Sequence, residues 1–136
     1  MTVEDYKEGQ LVLIDKPLGW TSFQVVNKVR WLIKQQFKLK KIKVGHAGTL
    51  DPLATGLLIL CVGKFTKKID TYQAQEKEYT GTIVLGGTRP SYDMETEIDQ
   101  TFDLSSITEE KVKAAVNIPV IASNRINMPD TAEEVI

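Results

Sequence analysis

Apolar residues come in short blocks along this chain, and the spacing inside each block predicts its element. Leu11-Val12-Leu13-Ile14 is a continuous apolar run of strand length, and Asp15-Lys16-Pro17-Leu18-Gly19 then turns the chain. Val25, Val26, Val29, Leu32 and Ile33 recur at helical spacing. Thr21 with Gln24 three residues on is a capping box, and Trp20 and Val25 hold the staple positions around it. Together they predict a helix over 22–36. Leu57 to Val62 reads as a buried strand that Gly63 ends, and Phe65, Ile69 and Tyr72 predict a helix over 64–72. Glu78 to Leu85 alternates, with Tyr79, Gly81, Ile83 and Leu85 on one face. Gly86-Gly87 closes that strand, 88–93 is a loop, and 95–99 predicts a short acidic edge strand. Thr108 caps a helix running to about Val116, with Glu109 and Glu110 suited to the positive end of its dipole. Pro119 to Ala122 predicts a buried strand, 124–127 a polar turn, and 130–136 a last helix with Pro129 at its start. Residues 1–10 are polar and predict a mobile terminus.

Composition narrows the class. The 136 residues suit one α/β domain with a real core. The longest apolar run is far short of a membrane span, and no basic-apolar-small pattern opens the chain. Cys61 is the only cysteine and lies inside the apolar run 57–62, so it reads as a small buried hydrophobe. One cysteine and one histidine, His46, cannot build a zinc site of the usual kind. A cytoplasmic protein without a structural metal is the expectation.

A net charge of −1 hides two halves of opposite sign. Residues 1–77 hold thirteen Lys/Arg against seven Asp/Glu; residues 78–136 hold four against eleven. From Lys28 to Lys43 there are seven basic residues and no acid. Surface lysines are commonly just a solvated face. This run leads into a loop with a poised acid, which favours phosphate contacts from Lys38, Lys40, Lys41 and Lys43, extended by Lys64.

That loop is Gly45-His46-Ala47-Gly48-Thr49-Leu50-Asp51-Pro52-Leu53-Ala54-Thr55-Gly56. Its glycines let the backbone turn and a partner approach, and Pro52 pushes Asp51 toward an extended conformation. An isolated Asp-Pro is usually a plain turn. Here it sits in a longer pattern that resembles the signature loop of the TruB-type tRNA pseudouridine synthases. Leu13-Ile14-Asp15-Lys16-Pro17 with Gly19, Thr21 and Ser22 resembles that family's first motif, and Lys77, Tyr79 and Leu85-Gly86 its third. The order and spacing agree over about residues 11–99.

The resemblance implies roles. Asp51 is the nucleophile that isomerises a T-loop uridine of tRNA, attacking the uracil ring or the ribose anomeric carbon, and no cofactor is needed. Tyr79 stacks on the flipped base, His46 helps hold the everted RNA, and Lys16 is a structural or phosphate contact near the loop. Read without the family, Tyr79 is a core aromatic, His46 a satisfied loop histidine and Lys16 a solvated turn lysine. The fold implied is the N-terminal part of the mixed-sheet pseudouridine synthase fold, followed by a helix-strand-helix tail.

Past about residue 104 the likeness fades, and the arginine that the family pairs with its aspartate has no counterpart. Val112 to Asn127, continued by Pro129 and Ala132-Glu133-Glu134, resembles one unit of the flavin-dependent 2,4-dienoyl-CoA reductase barrels. The organisation expected is a partial catalytic domain over 1–103 and a tail over 104–136, as in a chimera. The alternatives to a pseudouridine synthase are an RNA-binding fragment or chimera without turnover, and a flavin reductase fragment supported by the tail alone.

Overall fold

Seven residues of one apolar strand organise the first part of the molecule. The computed structural model describes residues 2–116 and 134–135. They fall into two compact units, Met1–Gln75 and Glu76–Ile136, each taken here by itself.

In the first unit, strand β1 (Gln10–Lys16) and strand β2 (Val44–His46) flank the central strand β3 (Gly56–Val62), both antiparallel to it. Opposite residues share a face, so the register sorts the side chains. Val12, Ile14 and Lys16 stand over Leu60, Leu58 and Gly56, and Val44 over Val62. Helix α2 (Ser22–Phe37) packs on this face with Val25, Val26 and Ile33; with Val44, Leu58, Leu60 and Val62 they are the buried core, and the half-buried Val12 and Ile14 pack against it. Each such side chain removed from water is worth about 1.5–3 kcal/mol. The other face of the sheet keeps Leu13 and Leu57 exposed at 62% and 63%.

Helix α2 starts where its sequence predicts. Thr21 Oγ1 accepts the Gln24 amide at 3.0 Å and Gln24 Oε1 accepts the Thr21 amide at 2.8 Å. It ends at Lys38, in the left-handed region at φ 50°, whose N–H bonds the last-turn carbonyls. Leu32, expected on the core face, is exposed; Val29 is half-buried. A core stripe centred on Val26 and Ile33 leaves Leu32 at its edge.

The polar pattern predicts a mobile terminus, but Val3–Glu8 is helical and Gln10 already opens a strand. Helix α1 (Val3–Glu8) is closed by a Thr2–Asp5 capping box. Its Tyr6 ring meets Phe37 at a centroid distance of 5.4 Å, a contact no local pattern announces. Glu8 pairs with Lys64 at 2.8 Å, but both are exposed and the pair adds under about 1 kcal/mol. Gly63 lies beneath α1 at φ 62°, and an added Cβ would stand 2.1 Å from the Tyr6 carbonyl oxygen. The segment after it is a 3-10 turn over Gly63–Lys68 followed by helix α3 (Ile69–Gln73), not one continuous helix.

The second unit has short ladders. The strand expected over 78–85 is reduced to β4 (Thr80–Gly81), paired with β7 (Glu134–Val135). Alternation alone makes no strand; the backbone needs a partner, and β7 supplies two residues. Residues 134–135 were expected in a helix, but their backbone pairs with Thr80 and Gly81, whose own N–H and C=O groups need partners. Strand β5 (Gly87–Thr88) pairs with β6 (Gln100–Thr101) in place of a strand at 95–99. Ser91, Asp93 and Thr96 bond one another in the connecting loop and offer the backbone an alternative to a ladder. Helix α4 (Glu109–Val116) begins at Thr108 as expected, with Thr108 Oγ1 accepting the Lys111 amide. The strand at 119–122 and the turn at 124–127 lie outside the described residues.

Candidate active site

The segment joining β2 to β3 carries Asp51, and the turn joining β1 to α2 holds it on both sides. On one side, Ser22 is buried in the first turn of α2. Its Oγ donates to the Leu50 carbonyl at 3.0 Å and accepts the Leu50 amide at 2.8 Å. On the other side, the Pro52 carbonyl accepts the Gly19 amide at 2.7 Å and Lys16 Nζ at 3.4 Å. Gly19 takes φ 80° in that turn, where a side chain would be strained. The Ala54 amide closes the loop on the Asp51 carbonyl at 3.0 Å. The Asp51 side chain stays exposed, and among the described residues nothing bonds its carboxylate. An acid whose backbone is fixed and whose carboxylate is unengaged is arranged to act on something that arrives from outside.

Lys16 is the least expected member. It is wholly buried, and Nζ donates to the carbonyls of Pro17 at 3.0 Å and Trp20 at 2.5 Å besides Pro52. Three carbonyls meet three ammonium hydrogens, so the group is satisfied without solvent. Burial pushes the Lys16 pKa below its usual value, and the nearby Asp51 charge acts against that shift. Of the two family-implied roles, the geometry supports the structural one over a phosphate contact, and the solvated-lysine reading is corrected by its burial.

His46 ends β2 opposite Leu60, half-buried. Its Nδ1 lies 2.8 Å from the Gly48 carbonyl. A carbonyl only accepts, so Nδ1 carries the hydrogen in this contact. Tyr79 lies in the second unit, just before β4, and is more than a third exposed. The core reading of Tyr79 is thereby corrected: it is not a packed core aromatic. Cys61 is a core thiol whose pKa burial pushes up.

The lysines do not gather at Asp51. Lys41, Lys43 and Lys64 line a groove of about 370 Å³ with Lys7, Lys67, Ile42, Gly63 and Thr66. It opens at the Val62 end of β3, whereas the Asp51 loop enters at the Gly56 end, roughly 20 Å away along a seven-residue strand. The expectation that the basic run adjoins the loop is corrected by β2, which carries the chain away from Lys43 before the loop begins. Lys38 and Lys40 are exposed outside this groove. Lys7 and the Ser22 clamp are what sequence reasoning missed; Ser22 stood in the first motif, with nothing local to tie it to Leu50.

Two comparisons with known proteins bear on this site. Residues 34–122, which include His46, Asp51 and Tyr79, match the model of the TruB family pseudouridylate synthase (N terminal domain). The chain belongs to the TruB family. It is 62% identical over 117 residues to the tRNA pseudouridine synthase B of Flavobacterium johnsoniae, covering 85% of this chain and 51% of that protein. It is 55% identical over 112 residues to that of Phocaeicola vulgatus, with 82% and 48% covered. For Chlorobaculum tepidum the identity is 48% over 109 residues, with 80% and 45% covered. The chain therefore spans about half the length of these TruB-family relatives. The family match runs through 104–122, a stretch with no recognised motif, and the flavin-reductase likeness finds no support in these comparisons. The fold is the N-terminal part of the TruB α/β fold. Among the described residues no helix is long and apolar enough to cross a membrane.

Proposed function

We propose that this chain supplies the Asp51-bearing part of a tRNA pseudouridine synthase acting on the T-loop uridine, in the cytoplasm. What carries the reading is the double clamp, Ser22 on Leu50 and Gly19 with Lys16 on Pro52, around an exposed aspartate in a TruB-family chain. In the reaction the carboxylate attacks the uracil ring or the anomeric carbon. The C1′–N1 bond breaks, the base turns, C1′–C5 forms, the bond to the Asp51 carboxylate breaks to release it, the C5 proton leaves and N1 takes up a proton. No oxidant, reductant or metal enters that balance. The target base must leave its stack, and Tyr79 is the residue proposed to stack on it. His46 holds the everted strand, Lys16 positions the loop, and the lysine groove contacts the RNA backbone.

A second reading, RNA binding without turnover, is favoured by one observation. Among the described residues no cation is bonded to the Asp51 carboxylate, while the groove gathers five lysines. Tritium release from C5-labelled tRNA separates the two. Release by the chain that Asp51→Ala abolishes is the expected result. Retained tRNA binding with no release supports the second reading, and release that survives Asp51→Ala contradicts the role of Asp51.

A further inference from the structure

Helix α2 buries one face and leaves aromatic rings on the other. Phe23 and Trp31, eight residues apart, are 61% and 52% exposed, and Trp20 just before the cap is 40% exposed. Gly19, Trp20, Gln24, Asn27 and Lys28 line an open groove of about 360 Å³ along this face. Lys28 Nζ stands 4.9 Å from the centre of the Trp31 ring. Lys34 adds charge, Arg30 is bonded to Asn27 Oδ1 and the Val44 carbonyl, and no acid occurs between Asp15 and Asp51. One end of the groove is the Gly19 turn, whose amide is bonded to the Pro52 carbonyl next to Asp51.

Exposed rings interleaved with cations and amides, without a carboxylate, match a strand of unpaired nucleotides better than a protein surface. Every base presents a π-face, and every linkage carries a negative charge for the cations. A protein partner's groove would be apolar at its centre, with charge kept to the rim. Helix rise sets Trp31 about 14 Å along α2 from Ser22, room for a short stretch of RNA beyond the reacting nucleotide.

Resting on the reading above, we propose that α2 is a stacking platform. Unpaired bases flanking the target uridine lie on Trp20 and Trp31, with their phosphates at Lys28 and Lys34. The platform would select RNA whose neighbouring nucleotides are unstacked, and so act as a specificity determinant separate from Asp51.

The chain has two tryptophans, so Trp20→Phe and Trp31→Phe each leave one reporter. In an Asp51→Asn background that leaves RNA unconverted, each protein is titrated with a T-arm hairpin and with a fully paired duplex of equal length. The hairpin should quench the emission of Trp31 saturably, and the duplex should do so far less. Trp31→Ala should weaken hairpin binding about 5- to 150-fold, with Trp31→Phe keeping most of the affinity. Hairpin binding that leaves both tryptophans unquenched, or that Trp31→Ala does not weaken, overturns the platform while leaving the pseudouridine synthase reading intact. An emission change on raising protein concentration without RNA overturns it in favour of a second copy on this face. Failure to bind either RNA, by filter retention, overturns the RNA reading and the platform with it.

Discussion

The two units of this molecule put their apolar side chains to opposite effect. In Met1–Gln75 a seven-residue strand is paired along its whole length on one side and over three residues on the other. Every buried hydrophobic of the described residues, from Val25 to Val62, belongs to this unit. In Glu76–Ile136 the ladders are two residues long, and Val84, Tyr92, Met94, Ile98 and Phe102 remain exposed. The difference lies in pairing. The longer ladders hold β1, β2 and β3 as one sheet with a face that α2 can cover, and the two-residue ladders of the second unit build no comparable face. It also separates two demands of the proposed chemistry. The acid must be held in place, and Asp51 sits on the well-packed unit. The residue proposed to stack on a base must admit a nucleotide, and Tyr79 sits on the other unit.

Core truncation should break this comparison most visibly. Leu60→Ala empties the centre of β3 and should cost about 2–5 kcal/mol. Val84→Ala in the second unit, where the side chain is 71% exposed, should stay within about 0.5 kcal/mol. Urea unfolding of both variants checks the pair, and comparable costs would erase the contrast between the units.

A smaller effect sharpens it. Burial holds the Lys16 pKa below 10.5, with the Asp51 charge opposing. Between the lowered value and 10.5 the unfolded chain binds more protons than the fold, so the Lys16 contribution to stability rises with pH. That contribution is complete above 10.5 and is lost as pH falls through the lowered value. Measured against Lys16→Met by urea unfolding at several pH values, the parent chain should gain stability as pH climbs toward 10.5. A difference that is flat with pH would mean that Lys16 is not buried as a charged group.

The same contrast explains which parts of the fold were legible beforehand. Helix α2 was readable because its capping box and apolar stripe are local, and β3 because six of its residues form one apolar run. Helix α1 was not, because a Thr2–Asp5 cap is a weak signal until Tyr6 reaches Phe37 across the chain. The strand over 78–85 was over-read, because alternation says which face a strand would bury and nothing about whether a neighbour exists. At the site, Asp51 and His46 stood out through a long motif. The burial of Lys16 did not, because three carbonyls from Pro17, Trp20 and Pro52 converge only once the turn and the loop meet. The lysine run was visible as composition, but its direction away from Asp51 depends on the three residues of β2.

Amide hydrogen exchange at Leu50 and Gly19 reads whether the Asp51 loop is held, because those two N–H groups are the clamps on either side of Asp51. In the parent chain both should be protected to a degree nearer the amides of β3 than those of the second unit. Ser22→Ala should release Leu50 while Leu58 to Val62 keep their protection. Leu50 exchanging in the parent chain as fast as the loop residues around Ser91 would contradict the account, because Asp51 would then ride on a free loop instead of a held one.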